Sequence, residues 1–251
     1  MNIRRSYFAH PKDGPLPALL IGLTVLTGVI DAVSILSLGR VFVANMTGNV
    51  VFVGFALAGA PGFSVSAAIF ALGGFLEGAL LTGVAIGRFG NRRGALFRAA
   101  MLAQLALLVI ALGIALVAGA PYGAGTRDAI AAICALAMGV QNAVVTKLAV
   151  PDLTTTVLTR TLTSIAVDLR APAQRQAVAR RVLAVLAMLA GAVVGALLVL
   201  DAGPTAALGL ATGLLAIVTC AALAATRRPA AWQSTASPSA AGDLRLAGSS
   251  Q

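Results

Sequence analysis

Two carboxylates stand inside long apolar stretches of this chain, Asp31 in LTVLTGVIDAVSIL and Glu77 in ALGGFLEGALLTG. An ionisable side chain at hydrocarbon depth is costly, so it is expected to face a protein interior and to mark an ion or solute pathway. Either group can take up a proton or a cation during a cycle. A structural reading stands beside this one: Asp31 braces irregular backbone nearby, and Glu77 stays protonated and hydrogen-bonded. Composition does not choose between them.

A second signal is the polar interruption Asn45, Thr47, Gly48 and Asn49 within the apolar segment VFVANMTGNVVFVGFALAGA. Unwound backbone survives at membrane depth only where protein or a water-filled cavity satisfies it. Amides and hydroxyls supply donors and acceptors there, and Gly48 permits a bend or a close approach. Its counterpart is TTTVLTRTLTSIAVDL at 154–169, where seven of the first eleven residues are Thr or Ser. Thr156, Thr159, Arg160 and Thr161 are its candidate contacts. Arg160 can serve an anion beside helix-end amides, or it can snorkel to headgroups. Gln141 and Asn142 are placed to hydrogen-bond across a helix interface or to touch a substrate.

The elements that must hold these residues follow from composition. Of 251 residues, 59% are hydrophobic and 10% charged, with mean hydropathy +0.96. Soluble domains run at about 45–50% apolar and about 25% charged, and polar residues must cover their outside. Lipid is therefore the solvent. Six apolar runs, 16–39, 64–89, 95–120, 128–150, 180–202 and 204–226, are long enough to cross it as helices. The expected fold is all-α, a polytopic membrane bundle of six full spans plus two short or broken helices at 41–60 and 154–169. Residues 1–15 read as a basic cytoplasmic leader rather than a signal peptide, and 229–251 as a disordered cytoplasmic tail.

Charge selects the topology. The net charge of +10 would suggest nucleic acid in a soluble protein, but here basic residues mark the cytoplasmic side. With six crossings, and with the two odd segments entering and leaving on one side, fifteen of the 18 Lys and Arg fall with both termini in the cytoplasm. Only Arg40 and Arg127 fall outside, and Arg160 stays in the membrane zone. If both odd segments crossed, Arg88, Arg92, Arg93 and Arg98 would be exported together.

A weak internal repeat agrees with this plan. GVIDAV at 28–33 matches GVQNAV at 139–144, TGNV at 47–50 lies over TRTL at 159–162, and LEGA at 76–79 over LAGA at 189–192. The offsets are 111, 112 and 113 residues. Each copy, 16–120 and 121–228, holds three spans and one odd segment, so the second inserts inverted. Secondary transporters often use this plan, with the site at the repeat interface near the midplane. Glycine pairs at Gly74/Gly78, Gly83/Gly87, Gly191/Gly195 and Gly209/Gly213 are expected to pack helices closely.

The motifs GVIDAVSILSLGRVFVANMTGNVVFVGFAL at 28–57 and MGVQNAVVTKLAVPDLTTTVLTRTLTSIAVDL at 138–169 resemble those of the YoaK-like family of bacterial membrane proteins (domain of unknown function 1275). The resemblance runs from about residue 18 to 226. It implies a multi-span protein of the bacterial inner membrane and assigns no activity.

Function is bounded further by what is missing. The single histidine, His10, lies in the leader, which removes a His-based metal site or general base from the membrane. There is no phosphate-binding G-x-x-x-x-G-K-[ST] loop, and Cys134 and Cys220 read as buried free thiols. No enzyme, cofactor, metal or nucleic-acid partner is expected. The partners expected are the bilayer and a small solute or ion. A secondary transporter or channel-like permease is the leading reading. The alternative is a non-transporting scaffold or partner subunit, which should lack a continuous polar cavity between Asp31, Thr47 and Thr159. Oligomeric state, substrate and coupling ion stay open.

Overall fold

The computed structural model describes residues 13–89, 92–151, 153, 155, 156, 158–169, 171, 174–227 and 230–233. The leader up to residue 12 and the tail from 234 lie outside the described residues, and with them the disordered-tail expectation. Among the described residues, eight α-helices follow in order: α1 Leu16–Ser37, α2 Met46–Leu57, α3 Val65–Phe89, α4 Arg93–Ala118, α5 Ala124–Leu148, α6 Leu158–Asp168, α7 Arg175–Ala202 and α8 Pro204–Thr226. Six of them have 22 to 28 residues, or roughly 33–42 Å at 1.5 Å per residue, enough for a hydrocarbon core of about 30 Å. With 12 and 11 residues, α2 and α6 are too short. This is the expected set of six spans and two short helices.

Helix ends follow local chemistry. Pro17 lies in the first turn of α1, where its missing N–H costs nothing. The α7–α8 corner is made by Gly203 at φ +89°, which stops α7, and by Pro204, which starts α8.

Contacts at the two ends fix the direction of each span. At one end Arg93 bonds the Asp13 carboxylate at 3.2 Å and the Leu148 carbonyl at 2.7 Å, and Gly94 meets Gln233. The start of α1, the start of α4, the end of α5 and the chain after α8 therefore meet there. At the opposite end the Arg127 side chain reaches Gly39 and Ser64, Arg40 crosses Gly62, and Tyr122 bonds Thr205 at 2.8 Å. The chain thus leaves α1 and joins α3 at the same end, so α2 does not cross. Likewise α6 lies between the end of α5 and the start of α7 on the other side.

The tightest packing runs between helices distant in sequence. α1 lies along α7, and α3 along α5. A Cβ added to Gly28 would fall on the Met188 carbonyl, and one on Gly191 on the Val25 carbonyl. In the other pair a Cβ on Gly139 would fall on the Phe75 carbonyl, and one on Gly78 on the Leu136 carbonyl. These four glycines permit backbone-to-backbone approach, which in lipid replaces the hydrophobic drive between helices. The expectation for Gly83/Gly87 and Gly209/Gly213 is corrected, because no atom lies within 4 Å of a Cβ built at any of them. The spacing is the same, but these faces of α3 and α8 have no helix opposite.

α1 is the most enclosed span, with Leu16, Leu20, Leu23, Leu26 and Val29 fully buried. Large apolar side chains such as Leu80, Val84, Val117 and Leu200 point outward instead, as a lipid-facing surface requires. Buried Thr24, Thr27, Thr82, Thr212 and Thr219 each bond the carbonyl four residues back. Their hydroxyls are thereby satisfied without a partner helix. Cys134 is buried as expected, whereas Cys220 is exposed on α8.

Candidate functional site

The irregular stretch between α1 and α2 is held by one side chain. Fully buried Asn49 presents its amide to residue 42 much as a neighbouring peptide would. Its Oδ1 accepts from the Phe42 N–H at 2.8 Å and its Nδ2 donates to the Phe42 carbonyl at 2.6 Å. The non-helical backbone gains the partners that lipid cannot give. Phe42 then lies over Gly48, where a Cβ would strike the ring, and stacks on Phe52 with centroids 5.6 Å apart. Phe63 extends this aromatic cluster at 5.1 Å from Phe52.

This arrangement walls a cavity of about 810 Å³ between α2, α6 and the interior of the bundle. Asp31, Asn45, Thr47 and Gly48 line it from the first half of the chain, and Asn142, Thr156 and Thr159 from the second. Phe42, Phe52, Phe75, Met46 and Met188 complete much of the wall. Asp31 is 7% exposed, and neither carboxylate oxygen has a hydrogen-bond partner. The backbone N–H groups of Val43 and Ala44 face it, but outside hydrogen-bond geometry. Thr156 Oγ1 donates to Asn142 Oδ1 at 3.3 Å. Thr47 and Thr159 are exposed, so the cavity opens between the two short helices.

Other candidates lie elsewhere. Gln141 is fully buried behind the cavity. It donates to Thr27 Oγ1 at 3.0 Å and Thr155 Oγ1 at 3.2 Å, and accepts from Gln104 Nε2 at 2.8 Å. It ties α1, α4, α5 and the segment before α6 together, and lines no cavity. Thr161 is buried on α6 away from the lining, and Arg160 is exposed and also outside it. The expectation that Glu77 faces the bundle interior is corrected. This residue is exposed on α3, over a shallow hollow with Phe70, Gly73 and Ile133. The glycine face of α3 turns toward α5, and Glu77, one residue before Gly78, is carried about 100° away from it. A larger-mouthed hollow of about 720 Å³ at the Arg127 end is formed by loop ends around Arg40 and Tyr122. It lies at the rim of the bundle, where its α1 lining of Ile35, Leu36 and Ser37 begins roughly one helical turn beyond Asp31.

Sequence reasoning missed several residues. Gln104 was visible as the one amide in the apolar run of α4, whereas Phe42, Phe52, Phe75, Met46 and Met188 carry no signal that separates a cavity wall from ordinary packing.

Six apolar spans and two short helices that meet around a mainly apolar cavity with a polar cluster define a polytopic membrane helix bundle in contact with the bilayer. The profile of a family described as "Protein of unknown function (DUF1275)" matches residues 19–221, and the chain belongs to that family. It is also 32% identical over 151 residues to the UPF0700 transmembrane protein YoaK of Bacillus subtilis strain 168. That match covers 60% of this chain and 66% of the relative, a little under two thirds of its length. No solved structure matches.

Proposed function

We propose that this protein is a secondary transporter or channel-like permease for a small solute, with its site in the cavity between α2 and α6. The observation that carries the reading is how the cavity is paired. Its wall contains Asp31 and Asn142, Ala44 and Thr156, Met46 and Leu158, Thr47 and Thr159, and Phe75 and Met188. The members of each pair are 111 to 113 residues apart.

The same exchange relates the helices. α1 packs on α7 and α8 as α5 packs on α3 and α4, and α2 rests on α3 as α6 rests on α7. Gly28 over Met188 corresponds to Gly139 over Phe75, and α1 and α5 run in opposite directions. These features support two inverted repeats, 16–120 and 121–228, about a two-fold axis in the membrane plane that passes through the cavity. A site on such an axis near the midplane can face either side when one repeat rocks on the other. Asp31, Thr47 and Thr159 share one cavity, which favours transport over a scaffold.

Proteoliposomes tested on solid-supported membranes with small cations, anions and neutral polyols should show uptake of at least one class. The double variant Thr47→Leu/Thr159→Leu, which fills the mouth, should abolish it. Identical signals from wild type and variant for every class would overturn the reading.

Charge supports an orientation with the Asp13 end in the cytoplasm of a bacterial inner membrane. Arg92, Arg93, Arg98, Lys147 and Arg227 lie toward that end, whereas Arg40 and Arg127 lie at the other. A cysteine replacing exposed Arg92 should react with an impermeant maleimide only after the cells are opened. Reaction in intact cells would reverse the orientation.

A further inference from the structure

We propose that the cavity selects a small organic cation, with the Asp31 carboxylate as its counter-ion. That such a cation is carried across the membrane rests on the transport reading above; that it binds does not.

The carboxylate is more than nine-tenths buried, opens onto the cavity, and has both oxygens without a partner. The paired position explains why. Asn142 receives the Thr156 hydroxyl, but the residue corresponding to Thr156 in the first half is Ala44, which has no hydroxyl to give. Among the described residues, no side chain offers Asp31 the hydroxyl that Asn142 finds, and with the Val43 and Ala44 N–H groups outside hydrogen-bond geometry both oxygens are left for a donor that enters the cavity. Asp31 is also the one charged side chain among the described residues of the lining, with no Lys or Arg beside it. In a medium of low dielectric an unmatched carboxylate repels anions and attracts a positive group strongly. The corresponding Asn142 is neutral, so Asp31 is the one described lining group at the proposed axis that can carry a negative charge opposite a bound cation.

The remaining wall fits a cation with an organic skeleton. Phe42, Phe52 and Phe75 present aromatic surface, and ring faces attract ammonium groups, quaternary ones included. Met46 and Met188 add polarizable sulfur. A volume of about 810 Å³ is in the range of small-molecule pockets, about 300–1,000 Å³, and is far larger than a bare metal ion fills.

The test uses the full chain in nanodiscs and two probes of nearly equal shape, choline and its uncharged carbon isostere 3,3-dimethyl-1-butanol. Titration calorimetry and thermal unfolding should give choline a Kd lower by at least about tenfold. Asp31→Asn should erase that preference, and sodium chloride at equal ionic strength should not reproduce the stabilisation. Equal binding of the two probes to the wild type, which requires no variant, would overturn the inference. So would the absence of choline binding, or equal competition by sodium. Charge-selective binding without uptake in proteoliposomes would retain the cation site and remove transport. Uptake with charge-blind binding would do the reverse.

Discussion

Leucine in place of Gly191 or Gly139 should leave little folded protein in the membrane. At Gly191 an added Cβ falls on the Val25 carbonyl, and at Gly139 on the Phe75 carbonyl. Both obstacles are backbone, so no rotamer change clears them, and a leucine must push α7 off α1 or α5 off α3. Overpacking in soluble cores costs about 1–3 kcal/mol where side chains can give way. Here they cannot, and about 3 kcal/mol or more is expected at each site. Lipid offers no hydrophobic drive to hold the separated helices together. Gly209→Leu and Gly83→Leu serve as controls, since a Cβ at either position meets nothing within 4 Å. The monodisperse fraction after extraction and the midpoint of thermal unfolding should collapse for the first pair and stay near wild type for the second. Equal behaviour of Gly191→Leu and Gly209→Leu would contradict the packing described.

The second large effect is expected at Asn49. Leucine keeps the branched side-chain skeleton, with somewhat more bulk, but removes both bonds to Phe42, at 2.8 and 2.6 Å. A backbone group left unsatisfied when its partner is removed costs roughly 1–3 kcal/mol, and here an N–H and a carbonyl lose their partner together. The segment from Leu38 to Asn45 should loosen, and with it the Phe42 ring that walls the cavity. Hydrogen exchange at the Phe42 amide should accelerate by at least about tenfold, the equivalent of 1.4 kcal/mol. Asn49→Asp keeps the acceptor for the N–H but sets a carboxylate against the Phe42 carbonyl, so it should not rescue. Unchanged exchange in Asn49→Leu would show that the segment is held by something other than this amide.

These two sites also show how far the sequence could be read. Six spans were legible because length and hydropathy suffice to define a crossing. The two short helices were legible because Asn45–Asn49 and the threonines after 153 interrupt apolar runs. The division of labour within the polar clusters was not. Asn45 lines the cavity while Asn49 clips backbone, and nothing in residue type separates two asparagines four positions apart. Gln141 and Asn142 are adjacent, yet the helix turns one into a buried network and the other into the cavity. Glu77 misled because the rule that charges face inward assumes a helix surrounded on all sides. α3 is packed mainly along its glycine face and is far less enclosed than α1. Glycine spacing failed at Gly83/Gly87 and Gly209/Gly213 for the same reason. A pattern on one helix cannot report whether another helix stands opposite.

The pairing of α1 with α7 has a consequence for how the protein is made. Val25 and Gly191, which touch in the finished bundle, are separated by 166 residues of chain. At about 5–20 residues per second, the ribosome delivers the second roughly 8–33 seconds after the first. Throughout that interval α1 lacks the helix it packs on most closely, and the cavity around Asp31 lacks the wall that Met188 supplies. Any chain released before α7 emerges carries this helix permanently uncovered, which gives membrane quality control a distinct feature to recognise: an acidic, glycine-bearing span whose mate was never translated.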